Sequence, residues 1–222
     1  TRRVGAPADD GDGAGDVAAA VKINGSAGGF GYGAFAASER GDAGRDFYAL
    51  RATRDFARQG FGATVTRVER PFLDREATVA AIDHRWSPGD AWNVRTTLVG
   101  SAIDQSGERT RDTGGQIRID HRIDAAWRQQ LFVLHTGGAL QLNDFGFLDR
   151  NNFNYARYEL ARRITDLPAG SPFSSHQWRY AVSRRTNDDG VHIADAFAIN
   201  RASERRDGGN QFFEIAGWTR GH

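Results

Sequence analysis

Six histidines are the residues of this sequence best suited to metal binding or acid–base catalysis, because the chain contains no cysteine. Their spacing matches neither HxxxH nor HExxH. His121 alternates with Ile119 and Ile123, which is typical of a structural side chain on an apolar strand face. Ser101 and Ser183 occupy no nucleophile-elbow pattern. We therefore expect no catalytic residue, no metal and no cofactor. The six positions are His84, His121, His135, His176, His192 and His222.

Acidic residues cluster near the start of the chain, in a Gly- and Asp-rich segment over residues 6–16. An EF-hand loop has calcium ligands at alternating positions and ends with a bidentate Glu. The segment that contains Asp10, Asp12 and Asp16 has no such Glu. This composition favours a solvated polar loop over a calcium site. The glycines of 28–33 resemble GxGxxG, but apolar alternation on both sides predicts strands, whereas a dinucleotide site needs a following helix.

The most informative polar residues are charges that alternate with apolar positions. In a barrel they would face the lumen, where opposite charges on neighbouring strands can pair. One interpretation is an ionic ladder that holds the wall, and the other is a polar pore or ligand surface; the two are compatible. These lumen-facing candidates are Arg95, Arg118, Asp120, Arg122, Arg157, Glu159 and Arg179.

The period of two in hydrophobicity extends along the chain. In 115–123, Ile117 and Ile119 point to one side, while Arg118 and Asp120 point to the other. Similar runs are separated by turn-forming segments such as 25–29, 39–44 and 187–190. The pattern predicts about twelve strands of roughly nine to twelve residues, longer than is usual in soluble sheets.

These runs favour an all-β fold, an antiparallel up-and-down meander forming all or part of a transmembrane β-barrel. The one segment with helix-like spacing, 155–164, has neighbours that favour a strand. Aromatic residues are predicted near strand ends, as in the girdle of a membrane barrel or the core of a soluble sandwich. They are Phe30, Tyr32, Phe47, Trp86, Trp92, Trp127, Phe153, Phe173, Phe212 and Trp218.

Composition limits the possible partners. With 29 basic and 28 acidic residues, the chain has no electrostatic footprint for nucleic acid. No apolar run is long enough for a transmembrane helix, and the mean hydropathy is −0.57. The sequence contains neither Met nor a signal-peptide pattern. We expect residues 1–222 to be one barrel domain or an internal fragment of one.

The most specific local motif is Leu142-Asn143-Asp144-Phe145-Gly146-Phe147-Leu148-Asp149-Arg150-Asn151-Asn152-Phe153. It resembles the N-D-[LF]-G-F-L-x-R-N-[DN] stretch of a bacterial outer-membrane family. Those proteins carry a family 9-like carbohydrate-binding module before a membrane-associated β-barrel domain of unknown function. The motif positions taken from the resemblance are Asn143, Asp144, Gly146, Phe147, Leu148, Arg150 and Asn151.

Three other stretches, 1–5, 16–29 and 48–66, are similar to segments of the same family in order and spacing. The resemblance implies a Gram-negative outer-membrane location, contact with lipid, and a role as membrane anchor or passage. It also implies glycan binding or uptake through an upstream module that is absent from this sequence. The family supplies no catalytic residues, so we lean against an enzyme.

Two alternatives remain open from the residues. A soluble all-β carbohydrate-binding sandwich would stack its apolar strand faces inward. A polysaccharide hydrolase would need two carboxylates about 5 to 10 Å apart in a cleft. Glu159 with Asp144 or with Asp120 is the pairing to inspect for the hydrolase.

Overall fold

A computed structural model describes residues 3–221, which form twelve β-strands and one 3-10 turn at Pro71–Leu73. The strand order within the sheet follows the order in the chain. No helix among these residues is long and apolar enough to cross a membrane. The strands are β1 (Val17–Ala27), β2 (Phe30–Glu39), β3 (Asp46–Asp55), β4 (Gln59–Arg70), β5 (Arg75–Trp86), β6 (Trp92–Gln105), β7 (Glu108–Arg122), β8 (Trp127–Thr136), β9 (Phe153–Ile164), β10 (Phe173–Thr186), β11 (His192–Arg205) and β12 (Asn210–Arg220).

The predicted all-β, antiparallel up-and-down meander of about twelve strands is confirmed. The strands contain 10 to 15 residues, somewhat longer than expected. The segment that could have been a helix is β9. Closure of a barrel, its placement in a membrane and the single-domain assignment stay predictions.

The first hairpin is tighter than its sequence suggested. The predicted loop over 25–29 shrinks to Gly28–Gly29, and both glycines have positive φ. The strands extend into the Gly-rich segment because Tyr32 lies directly opposite Gly25. Its ring occupies the space that a side chain on Gly25 would need, so the glycine permits close packing of an aromatic ring.

The described residues group into two compact units. The first comprises the described parts of Thr1–Arg85, Thr96–Gly115 and Thr136–Asn152. The second comprises the described parts of Trp86–Arg95, Gln116–His135 and Phe153–His222.

In the first unit, one face of the sheet formed by β1 to β4 carries exposed rows of apolar residues, and we call it the apolar face. Ile23, Ala34, Leu50 and Val65 are successive cross-strand partners and therefore lie on the same side. Ile23 and Leu50 are each 58% exposed. Among the described residues of the unit, none covers this row.

The opposite face of the first unit, its polar face, carries a small core at one end. Ala37, Phe47 and Val68 are cross-strand partners and are almost fully buried. Phe145, from the β8–β9 loop, packs against this core. Phe47 therefore belongs to a core under a loop, so that for this residue the core interpretation holds and not the interfacial girdle.

The second unit has the same division. Leu160, Tyr180, Ile199 and Ile215 form one cross-strand row on its apolar face. A second row on this face consists of Tyr158, Val182, Phe197 and Gly217. The polar face carries Glu159, Arg179, Asn200 and Glu214 at the alternating positions.

Candidate functional site

The resemblance motif lies in the loop between β8 and β9, in the first unit. Asn143 organises this loop with its side-chain amide. Its Oδ1 accepts a hydrogen bond from the Leu148 N–H at 2.7 Å, and its Nδ2 donates to the Leu148 carbonyl at 3.2 Å. Asn143 thus reproduces with its side chain the paired hydrogen bonds of a backbone bridge.

Asp144 anchors the same loop to the sheet through two arginines. Its carboxylate lies 2.9 Å from Arg70 Nη1 and 2.6 Å from Arg75 Nη2, and only 5% of the side chain is exposed. Burial disfavours the charged carboxylate, but hydrogen bonds from Arg75 and Arg70 outweigh it and hold the pKa of Asp144 below its usual range. The loop is therefore attached through an ionised carboxylate.

A second group of charges joins the N-terminal segment to the β2–β3 turn. Arg45 donates from Nε to Glu39 at 2.6 Å and from Nη2 to the Ala6 carbonyl at 2.8 Å. Asp9 lies 3.6 Å from Arg45 and 2.6 Å from Arg70. Asp9 therefore links this group to the arginine that also binds Asp144.

The linked charges form a buried ion cluster. The Asp9 side chain is 2% exposed and that of Glu39 is 1% exposed. With three carboxylates and three guanidiniums, the cluster is electrically balanced, as burial of so many charges requires. Its members are Asp9, Glu39, Arg45, Arg70, Arg75 and Asp144.

The cluster corrects one expectation from the sequence. Asp9 is not part of a solvated loop, because its carboxylate is buried between two arginines. The segment 39–44 does connect β2 to β3, as its turn signals predict, although Glu39 and Ala43 are buried. The sequence around Asp9 signals solvent exposure, and only the distant Arg45 and Arg70 reverse this.

The remaining motif residues position the loop or border a cavity. Gly146 packs closely on the Leu142 carbonyl, and its own carbonyl accepts a hydrogen bond from Arg3 Nε. Phe147 is 75% exposed. Leu148, Arg150 and Asn151 line a cavity of about 440 Å³ together with Arg70 and Arg75. In addition, the Arg150 carbonyl accepts a hydrogen bond from Thr136.

The predicted lumen-facing charges lie in the second unit, where four of them line a polar cleft of about 650 Å³. These four are Asp120, Arg122, Glu159 and Arg179. The side chains of the other three contact residues that line this cleft. Arg118 pairs with Asp120, Arg157 pairs with Glu159, and Arg95 donates to Asn93, which also lines the cleft.

Glu159 is the centre of the charge ladder in this cleft. Its carboxylate lies 2.9 Å from Arg157 Nη2 and 3.0 Å from Arg179 Nε. Its side chain is 19% exposed, against 42% for Arg157 and 43% for Arg179. This arrangement supports the interpretation of the charges as a ladder that holds neighbouring strands together.

An aromatic pair closes one side of the cleft. The rings of Trp92 and His121 stack with centroids 3.8 Å apart. His121 Nδ1 lies 2.9 Å from Gln129 Nε2, and Gln129 Oε1 accepts a hydrogen bond from Tyr158. His121 thus has a structural environment, in which its ring stacks on Trp92 and its Nδ1 pairs with Gln129.

Neither a metal site nor a carboxylate pair of the hydrolase type stands out. Residues 3–221 contain no group of three or more potential metal ligands. Asp120 and Glu159 line the same cleft, but each is held by arginine. Asp144 belongs to the ion cluster of the first unit, where arginines also occupy its carboxylate.

Neither the scan against protein-family models nor the search of curated proteins found a match to this chain.

Proposed function

We propose that this chain forms part of the wall of a bacterial outer-membrane β-barrel, which serves as a membrane anchor or a passage. The observation that carries the proposal is the division of the strand faces. In each unit the apolar face is exposed, and the buried ion cluster of the first unit and the charge ladder of the second lie on the other face. At the edge of the apolar face of the first unit, Arg67 pairs with Glu69 and Glu76. A membrane barrel requires this division of the faces, because lipid covers the outside and water fills the lumen.

The exposed apolar residues support a lipid partner. Leu50 and Ile23 are more than half exposed, as are Val182 and Ile215 in the second unit. A soluble sandwich would bury such rows against a second sheet. Contiguous exposed rows of this kind are costly in water and stable in hydrocarbon.

The apolar band is short along the strands. On β3 it extends from Tyr48 to Arg54, and its cross-strand neighbours on β4 extend from Arg67 back to Phe61. At about 3.3 Å per residue this is roughly 20 Å along the strand, or about 15 Å across a bilayer for strands that tilt by about 40°. The outer membrane is thinner than average, and arginines at the edges of the band can extend towards water.

The polar faces support a water-filled interior. The cleft of the second unit is lined by three acidic and three basic side chains, together with amides such as Gln130 and Gln177. In the first unit, the docked β8–β9 loop covers part of the polar face. The proposed link to glycan uptake rests on the family resemblance and requires an additional sugar-binding module.

Site-directed labelling tests the proposal directly, because the chain has no cysteine. Leu50→Cys and Val65→Cys place a bimane label on the apolar face of the first unit. Ala49→Cys and Thr66→Cys are matched controls, since they are cross-strand partners on the opposite face. The full chain is folded into phosphatidylcholine liposomes for each variant.

We expect brominated lipid chains to quench the labels at 50 and 65, and aqueous iodide to quench those at 49 and 66. The proposal fails if iodide quenches positions 50 and 65 as strongly as the controls while the strands are folded. A chain that folds without detergent, and whose labels at 50 and 65 are quenched by neither brominated lipid nor iodide, would favour the soluble carbohydrate-binding module instead, since a sandwich buries this face.

A further inference from the structure

Arginine and aromatic residues alternate in one cross-strand row of the first unit. Arg54 on β3 lies directly opposite Phe30 on β2 and Phe61 on β4. Its guanidinium lies 4.5 Å from the centre of the Phe30 ring and 5.1 Å from that of Phe56. The row borders the apolar band, because Ala52 and Leu50 follow at alternate positions of the same strand.

The second unit has a row of the same composition on its apolar face. Arg162, Trp178, Arg201 and Phe213 are successive partners across β9 to β12. Arg201 lies 5.6 Å from the Trp178 ring, and Arg162 lies 5.2 Å from the Trp127 ring. The neighbouring row on this face contains Tyr180 and its apolar partners. The row of Arg162 and Arg201 therefore also borders an apolar band.

Within residues 3–221, the side chains of these arginines have no acidic partner. Among residues 3–221, the side chains of Arg54 and Arg162 form no hydrogen bond or ion pair, and the side chain of Arg201 donates only to Gln211. The Nε of Arg201 is buried without a partner. By contrast, Arg51, which lies on the polar face, binds Asp83 at 2.8 Å.

The geometry suits binding of an anion at the edge of a lipid layer. An arginine that lies over an aromatic ring is held in place, while its N–H groups remain directed outward in the guanidinium plane. A phosphate can accept two of these N–H groups at once. Lipid phosphates lie where the apolar band ends and water begins, which is the position of both rows.

We propose that the rows around Arg54 and around Arg162 and Arg201 bind the phosphate headgroups of anionic lipids. The inference rests on the proposed function, since it assumes that the apolar faces contact lipid. It adds a preference among lipids to that function. The aromatic rings occupy the interface, and the guanidiniums supply the charge that selects anionic headgroups.

The test measures lipid selectivity beside the second row. A bimane label at Leu160→Cys lies on the same face, two residues from Arg162. The full chain is placed in liposomes of phosphatidylcholine and phosphatidylglycerol, with one of the two lipids brominated at a time. The ratio of quenching by the two brominated lipids reports the preference of this surface.

We expect the labelled protein to prefer phosphatidylglycerol, and Arg162→Gln with Arg201→Gln to lower this preference about fivefold per arginine. Arg118→Gln is the matched control, because it removes a half-exposed guanidinium from the polar face. It should leave the ratio unchanged. A ratio that is the same in the double variant as in the parent protein would overturn the inference.

A second measurement guards against misfolding of the variants. In the protein with all arginines present, raising NaCl from about 0.05 to about 0.5 M should reduce the preference, because salt screens exposed charges. A salt-independent ratio would also overturn the inference. If positions 50 and 65 contact lipid but selectivity is absent, the inference fails alone. If they do not contact lipid, the proposed function fails.

Discussion

The carboxylate of Asp144 bridges Arg70 and Arg75, at 2.9 and 2.6 Å, and so joins the β8–β9 loop to the strands on either side of the β4–β5 turn. Without this carboxylate, two guanidiniums that are less than a quarter exposed would lose a shared counter-charge. The relationship makes the loop a docked part of the first unit.

Asp144→Asn should lower the free energy of unfolding by about 3 kcal/mol, because it leaves buried arginine charge uncompensated. Denaturant unfolding in a fixed detergent would measure the change. Asp149→Asn is the control, since Asp149 belongs to the same loop but is exposed. Equal stability of the two variants would contradict a role of Asp144 as the anchor.

The stability of the protein should fall in acid partly through Asp144. Because the folded protein lowers the pKa of this group, the unfolded chain binds its proton first. Its contribution is complete above about pH 4, the ordinary value of an aspartate, and is lost as pH falls through the folded value. Unfolding curves at pH 7, 5, 4 and 3 should therefore converge for the parent protein and Asp144→Asn. Curves that stay parallel over this range would show that another group is responsible.

Two glycines of the first hairpin should respond oppositely to alanine. A Cβ on Gly25 would lie 2.6 Å from Tyr32 Oη, so Gly25→Ala must displace the ring and should cost about 1 kcal/mol. A Cβ on Gly33 meets only the Ile23 carbonyl, at 3.9 Å. Gly33→Ala should therefore be neutral or stabilising, because alanine loses less entropy on folding. Thermal unfolding of both variants, and of the double variant Gly25→Ala with Tyr32→Ala, measures how far the cost of Gly25→Ala depends on the Tyr32 ring. If the cost of Gly25→Ala persists without the ring, the steric explanation is wrong.

Loss of Glu159 should weaken the charge ladder of the second unit. Glu159→Gln removes the partner of both Arg157 and Arg179 and should cost about 1 kcal/mol at low salt, with a smaller cost at high salt. Glu214→Gln is the comparison, because Glu214 is exposed and accepts a hydrogen bond from the Asn200 amide at 3.5 Å. Unfolding of both variants at two salt concentrations would measure the difference. A salt-independent cost for Glu159→Gln would argue against an electrostatic ladder.

The sequence by itself determined the strands and the division of their faces. Alternation is a local property, since successive side chains of a strand point to opposite sides whatever the partner strand is. The positions of Arg118, Asp120 and Glu159 on polar strand faces could therefore be predicted without coordinates. The turn at 187–190 was equally local, because Asn, Asp and Gly favour turn conformations.

Only the tertiary structure decided which charges are buried and what the motif loop contacts. Asp9 and Arg70 are 61 positions apart, and Arg75 and Asp144 are 69 apart. No local pattern distinguishes an aspartate in a polar loop from one that pairs with a distant arginine. The sequence marks Asn143 and Asp144 only through their resemblance to a family motif. Their physical role depends on contacts with Leu148, Arg70 and Arg75, and the two arginines lie near the motif only after folding.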